Sequence, residues 1–155
     1  MKIYLDTSVT NVWLFGRDKE AERFEQTVRL FDAINAGKLE AIVSLYTVQE
    51  VCAYCADNFP PEMAATVSRL AIHQLLGNEL GLVPLLNRMA RLLHGKSLAI
   101  RDASDQPHVI SALIHHCGAI VTYDTHFQDV ADLIPCFLPQ ELMAHLRQDS
   151  ASDNN

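Results

Sequence analysis

The chain lacks any long hydrophobic run. No apolar segment approaches the ~20 residues needed to span a bilayer, and the opening stretch "MKIYLD" meets Asp6 too soon to supply a signal-peptide core. A soluble cytoplasmic protein with no membrane partner is expected. Cysteine is sparse, with Cys52, Cys55, Cys117 and Cys136 alone among 155 residues. Without an export signal these read as reduced thiols rather than a disulfide framework. Cys52 and Cys55 form a C-x-x-C that "HHC" at 115–117 would complete as a zinc site, but both lie in a helical apolar pattern where small thiols pack as core residues. Basic excess is missing too, and a formal net charge of −7 opposes a broad surface for gripping nucleic acid. Between Gly81 and Arg101 it is acid that is absent, while Arg88, Arg91, Lys96 and Arg101 all fall there with His94. That group is either a solvated helix face or a local nucleic-acid patch.

What is present is an ordinary globular composition, 49% hydrophobic and 20% charged, in a length that suits one domain. The domain is expected to span 1–147, with 148–155 as a disordered tail. Strand and helix alternate without repeat or linker. "KIYL" is rich in strand formers; "SVTNVWLF" predicts a short helix and "DKEAERFEQTVRLFDAINAG" a longer one with Gly37 at its stop. "EAIVSL" reads as a buried strand leading into the helix "TVQEVCAYCA". "PPEMAATVSRLAIHQLL" and "VPLLNRMARLLH" continue as helices, and "SDQPHVISALIHHCG" as another with Pro107 in its first turn. "AIVTYD" is a second near-continuous apolar strand, and "CFLP" with "QELMAHLR" predicts a last short strand and closing helix. This alternation favours an α/β fold, a central parallel sheet covered by helices on both faces.

On that scaffold the carboxylates fall into a pattern. Asp6 closes the first strand and Asp124 the strand "AIVTY", and in a parallel sheet both carboxyl ends lie on one edge, where open α/β folds keep their sites. Glu50 sits at the start of the helix after "IVSL", and Asp105 opens the helix that carries His108 three positions later. Each acid has a plain alternative. "TVQE" fits a capping box, with Thr47 capping and Glu50 reaching back. "SDQP" puts Ser104 at a cap and Asp105 in the first turn, where the helix dipole favours an acid. Asp6 and Asp124 can merely cap the segments after them. Four acids on one rim repel unless something positive sits among them. Carboxylate-only ligation suits hard cations, so Mg²⁺ or Mn²⁺ is expected there, with metal-assisted phosphodiester hydrolysis as the chemistry.

These segments together resemble the PIN-domain nucleases, and within them the VapC-type toxin ribonucleases of bacterial toxin–antitoxin pairs. "YLDTSVTNV" is similar to the family's first motif and gives Asp6. "SLYTVQEV" is similar to the second and gives Glu50. "DQPHVISALIHHCGAIVTYDTHF" is similar to the third and fourth together, giving Asp105, His108, Thr122, Asp124 and Phe127. The resemblance implies a PIN-like fold, Asp6, Glu50, Asp105 and Asp124 as catalytic and metal-holding acids, and RNA as substrate, cut internally. It implies that the hydroxyls of Thr7, Ser8 and Thr122 orient these acids or a bound water, while His108 packs or hydrogen-bonds rather than ligating. Asp102 and Asp129 are given supporting roles at most. A homodimer and a small antitoxin partner are further implications. The chain departs from the family at Gln106 and Pro107, which puts the aim of Asp105 in doubt, and carries no family motif from about 58 to 100, so substrate choice does not carry over. Two other readings are a PIN-fold binding module without activity and an aspartate-based phosphatase or receiver domain. The phosphatase would want a second Asp where Ser8 stands.

Overall fold

The computed structural model describes residues 1–152 apart from 96, 97 and 99, and side chains as far as 148. Five parallel strands form one sheet: β1 (Lys2–Leu5), β2 (Glu40–Ser44), β3 (Leu80–Val83), β4 (Ala119–Val121) and β5 (Cys136–Phe137), in the spatial order β3-β2-β1-β4-β5. Among the described residues seven helices accompany them: α1 (Thr7–Phe15), α2 (Ala21–Asn35), α3 (Leu45–Asn58), α4 (Pro61–Leu76), α5 (Arg88–Gly95), α6 (Gln106–Ile114) and α7 (Pro139–Ser152). A 3-10 helix over Thr125–Val130 follows β4.

Alternation along β1 decides the layers, because successive side chains point to opposite faces. Ile3 and Leu5 enter one core with Leu30, Phe31 and Ile34 of α2, Leu75 of α4 and Leu142 of α7. Tyr4 enters the other with Val109 and Ile110 of α6 and with Phe127. The result is the expected three-layer α/β/α arrangement, since a sheet buried on both faces needs helices on each. The chain runs outward from β1 to β3, then returns to β4 on the other side of β1. The switch point of the sheet therefore lies between β1 and β4, where ligands of such folds bind.

Three details differ from the sequence reading. Residues 80–83 form the edge strand β3 instead of running into a helix at Val83. Four residues containing a glycine give no periodicity to detect, and Gly81 is needed because a Cβ there would lie 2.9 Å from Ile42 Cγ2. The helix expected from Val83 begins at Arg88, since Pro84 cannot join the strand ladder and Asn87 Oδ1 caps by accepting from the Ala90 N–H at 2.9 Å. The tail boundary expected at 148 falls inside α7, which reaches Ser152; residues 153–155 lie outside the described residues. Helix propagation past a formed nucleus requires little of each added residue.

Among the described residues no helix is long and apolar enough to cross a membrane. All four cysteines are free, and Cys52 and Cys55 do not join His115, His116 or Cys117 in any group of ligand geometry. Burial pushes the Cys117 and Cys136 thiols up to about 11, away from thiolate chemistry at neutral pH.

Candidate metal and catalytic site

Strand register brings the first two site residues level. Leu5 pairs with Val121, the Asp6 N–H continues the ladder to the Val121 carbonyl at 3.0 Å, and Thr122 follows on the neighbouring strand. Thr122 Oγ1 consequently donates to Asp6 Oδ2 at 2.8 Å. The same oxygen caps α1 by accepting from the Ser8 N–H at 3.1 Å and takes the Ser8 hydroxyl at 2.5 Å. Asp6 is thus both the cap of the plain reading and a buried acid, only 5% exposed, with these three donors on one oxygen.

Glu50 is held from two sides. Thr7 donates to its Oε2, and His108 Nε2 lies 3.0 Å from its Oε1. His108 is 1% exposed, and its Nδ1 meets the Tyr4 hydroxyl at 2.8 Å, which meets Ser44 Oγ at 2.7 Å. A buried chain from the end of β2 through Tyr4 of β1 to α6 therefore fixes the Glu50 carboxylate. Burial opposes charge on both members, yet each holds the other: the His108 bond lowers the Glu50 pKa, and the Glu50 bond raises that of His108. Burial also holds the Tyr4 phenol well above its ordinary range, so it stays a neutral link. The capping-box reading of "TVQE" is corrected here. Ser44 caps α3 by accepting from the Thr47 N–H, Thr47 is inside the helix, and Glu50 points to Thr7 and His108. The helix starts two residues earlier than Thr47 because Ser44, the last residue of β2, already carries a capping hydroxyl.

Asp105 behaves differently. It stands at the N-cap position of α6, not in the first turn, and its side chain caps nothing, while Ser104 gives its N–H and hydroxyl to Asp102 Oδ1 at 2.8 and 2.7 Å. Its Oδ2 is buried without a hydrogen-bond partner. Burial, then the charges of Asp124, Asp6 and Asp102, push its carboxyl up to about 6. That dependence places the four aspartates in one electrostatic neighbourhood. Asp124 caps the 3-10 helix, accepting from the His126 N–H at 2.8 Å, in agreement with its plain alternative.

His126, which the sequence reading did not single out, bridges these acids. Its Nδ1 is buried without a hydrogen-bond partner and lies 3.5 Å from Asp124 Oδ1 and 3.8 Å from Asp105 Oδ2. Asp102, Asp105 and His126 are the group of described residues whose ligand atoms lie within 4.8 Å of one another. The only sequence signal was its place inside "YDTHF", two residues past Asp124. Asp102, given a minor role, belongs to this group.

The basic residues do not share one free surface. Arg91 donates to the Tyr46 hydroxyl at 2.7 Å and lies over that ring, whose other neighbour is His108. Arg101 pairs with Asp129 at 3.2 Å, which gives Asp129 a structural partner instead of a place at the site. Arg88 lines a separate cavity with Met89 and Leu92, and Lys96 lies outside the described residues.

The family model of the PIN domain matches residues 2–126, so this chain belongs to the PIN-domain family. No curated protein matches by sequence. Among solved structures, a chain of VapBC2 from Rickettsia felis, crystallised bound to a DNA fragment from its promoter, is similar in fold. The TM-score is 0.64 at 14% identity, over 89% of this chain and 98% of that one.

Proposed function

We propose that this protein is a Mg²⁺- or Mn²⁺-dependent endoribonuclease of the VapC kind, the toxin of a toxin–antitoxin pair. The observation that carries the reading is Asp105: a buried carboxylate oxygen without a partner, on a group that burial and, after it, three neighbouring aspartates make hard to ionise. Such an arrangement is unfavourable alone and suits a cation among the oxygens. Asp6, Glu50, Asp105 and Asp124 would hold it, with Asp102 and His126 beside Asp105. The imidazole favours Mn²⁺ over Mg²⁺ as the better-bound ion. When bound, the ion supplies Lewis-acid activation of water and neutralises charge on the phosphodiester.

The protein's own groups do the positioning. Ser8 and Thr122 fix Asp6 by loading one of its oxygens. Thr7 and His108 keep Glu50 from swinging away. The switch point between β1 and β4 opens these groups to a backbone passing along the sheet edge. RNA is the substrate, the likeness to a VapBC2 chain supports a small antitoxin partner, and a cytoplasmic homodimer completes the reading. A silent binding module is disfavoured because all four acids are present. A phosphatase is disfavoured because Ser8, where its second Asp would stand, gives its hydroxyl to Asp6.

The test is cleavage of labelled single-stranded and structured RNA with Mg²⁺, Mn²⁺ or EDTA, using wild type, Asp6→Asn and Asp105→Asn. Cutting that needs the cation and disappears in both variants is the expected result. Cutting in EDTA, or undiminished in the variants, defeats the mechanism.

A further inference from the structure

A cavity of about 210 Å³ opens beside the acids and plays no part in the chemistry above. Ser8, Asn11, Val12 and Phe15 line it at three- and four-residue spacings along one face of α1. Tyr54 of α3 and Tyr123, just after β4, supply planar walls. Tyr54 stacks on Phe15 with centroids 5.0 Å apart and planes 19° from parallel. Tyr123 is equally fixed: its hydroxyl meets Thr27 Oγ1 and donates to the Arg23 carbonyl, both at 3.0 Å, and the Arg23 guanidinium lies over its ring. Lys19 brings positive charge to the lining, while Arg23 and Glu20, also part of it, pair with each other at 2.7 Å.

Two further features say what such a cavity takes. Asn11 Oδ1 is buried with no hydrogen-bond partner, an acceptor that folding leaves unsatisfied unless a donor arrives. The terminal torsion of Asn is broad, so its amide edge can turn toward a ligand in the cavity it lines. Continuity with the acids is the second feature. Ser8 lines the cavity and also holds Asp6, so a group seated here is one side chain away from the reacting phosphate.

We propose that this cavity is a nucleobase subsite, in which a base of the RNA lies against Tyr54 or Tyr123 and Asn11 reads its hydrogen-bonding edge. The proposal rests on the ribonuclease reading and gives it a specificity determinant. Aromatic walls accept any base by stacking. A side-chain amide discriminates among bases, because an edge that cannot pair leaves a buried polar group unsatisfied.

The experiment is an NMR titration of the full chain with adenosine, guanosine, cytidine and uridine in EDTA. The expected result is movement of the Asn11 side-chain amide and of the Tyr54 and Tyr123 ring signals, with one nucleoside binding several-fold tighter than the rest. Tyr54→Ala should weaken binding about tenfold, Tyr54→Phe should retain it, and Asn11→Ala should level the preference among bases. Unmoved signals with all four nucleosides would overturn the subsite, and a preference that survives Asn11→Ala would overturn the role of Asn11. Because nucleosides carry no phosphate and EDTA removes the cation, a failure here leaves the nuclease proposal standing, while failure of the nuclease reading is read separately, as absent cleavage in the RNA assay.

Discussion

The two halves of the acidic rim are built differently. On the β1–α3 side, Asp6 and Glu50 have partners for their oxygens in Ser8, Thr122, Thr7 and His108. On the α6 side, Asp105 Oδ2 and His126 Nδ1 face each other with none. The first half is finished by folding. The second is left with an electrostatic deficit that a cation would correct, so on the proposed reading preorganisation and room for added charge are divided between separate elements of one site.

Removing charge from either half should break that division most visibly in catalysis. Asp6→Asn and Asp105→Asn are each expected to lower Mn²⁺-dependent RNA cleavage about 10³-fold, some 4 kcal/mol in the barrier, measured as initial rates on a labelled oligonucleotide. Their stabilities should then diverge. His108→Ala removes a buried ring with partners on both nitrogens and is expected to destabilise the fold by about 2–4 kcal/mol in urea titrations. It should also weaken Mn²⁺ affinity about 10–100-fold by releasing Glu50, and no change in that affinity would show that the finished half does not need its support.

Asp105→Asn should do the opposite to the fold. Its carboxyl titrates near 6 in the folded protein, above its unfolded value, so the folded state holds the extra proton between the two. Stability therefore falls as pH rises through roughly 4 to 6 and stays lowered above that. In EDTA at pH 7 the variant should be more stable than wild type by about 1–3 kcal/mol, while at pH 4 the two should melt alike. Adding Mn²⁺ should reverse the order at pH 7, as ion binding stabilises only the wild type fully. Equal melting across the range would mean that the second half carries no deficit. Smallest of all should be Arg101→Ala. Its pair with Asp129 is solvent-exposed on the arginine side, and a change within about 1 kcal/mol is expected in the same melts.

Much of the architecture was legible because its signals are local. Apolar runs such as "KIYL" and "AIVTY" mark strands buried on both faces, and Gly37, with φ of 70°, ends α2 in the left-handed conformation that glycine adopts freely. Edge strand β3 was not legible, since an exposed four-residue strand takes its definition from the neighbour it pairs with. At the site, Asp6 and Asp124 were readable both as caps and as rim acids, and they prove to be caps. Glu50 reads as a capping-box acid because Thr47 and Ser44 are chemically equivalent caps in sequence; only the end of β2 decides between them. His126 escapes notice because a lone imidazole between two ordinary residues has no periodicity and no spacing rule.

By itself, then, the amino-acid sequence determined the alternation of parallel strands and helices, and with it the edge at which strand-end acids collect, because hydrophobic period and strand direction are properties of short segments. Only the tertiary structure decided which oxygens are satisfied and which are left. Asp6 meets Thr122 across 116 residues, His108 meets Glu50 across 58, and His126 reaches Asp105 from a different element. Those meetings depend on register, layer and burial, which arise when the sheet closes and which no local stretch contains.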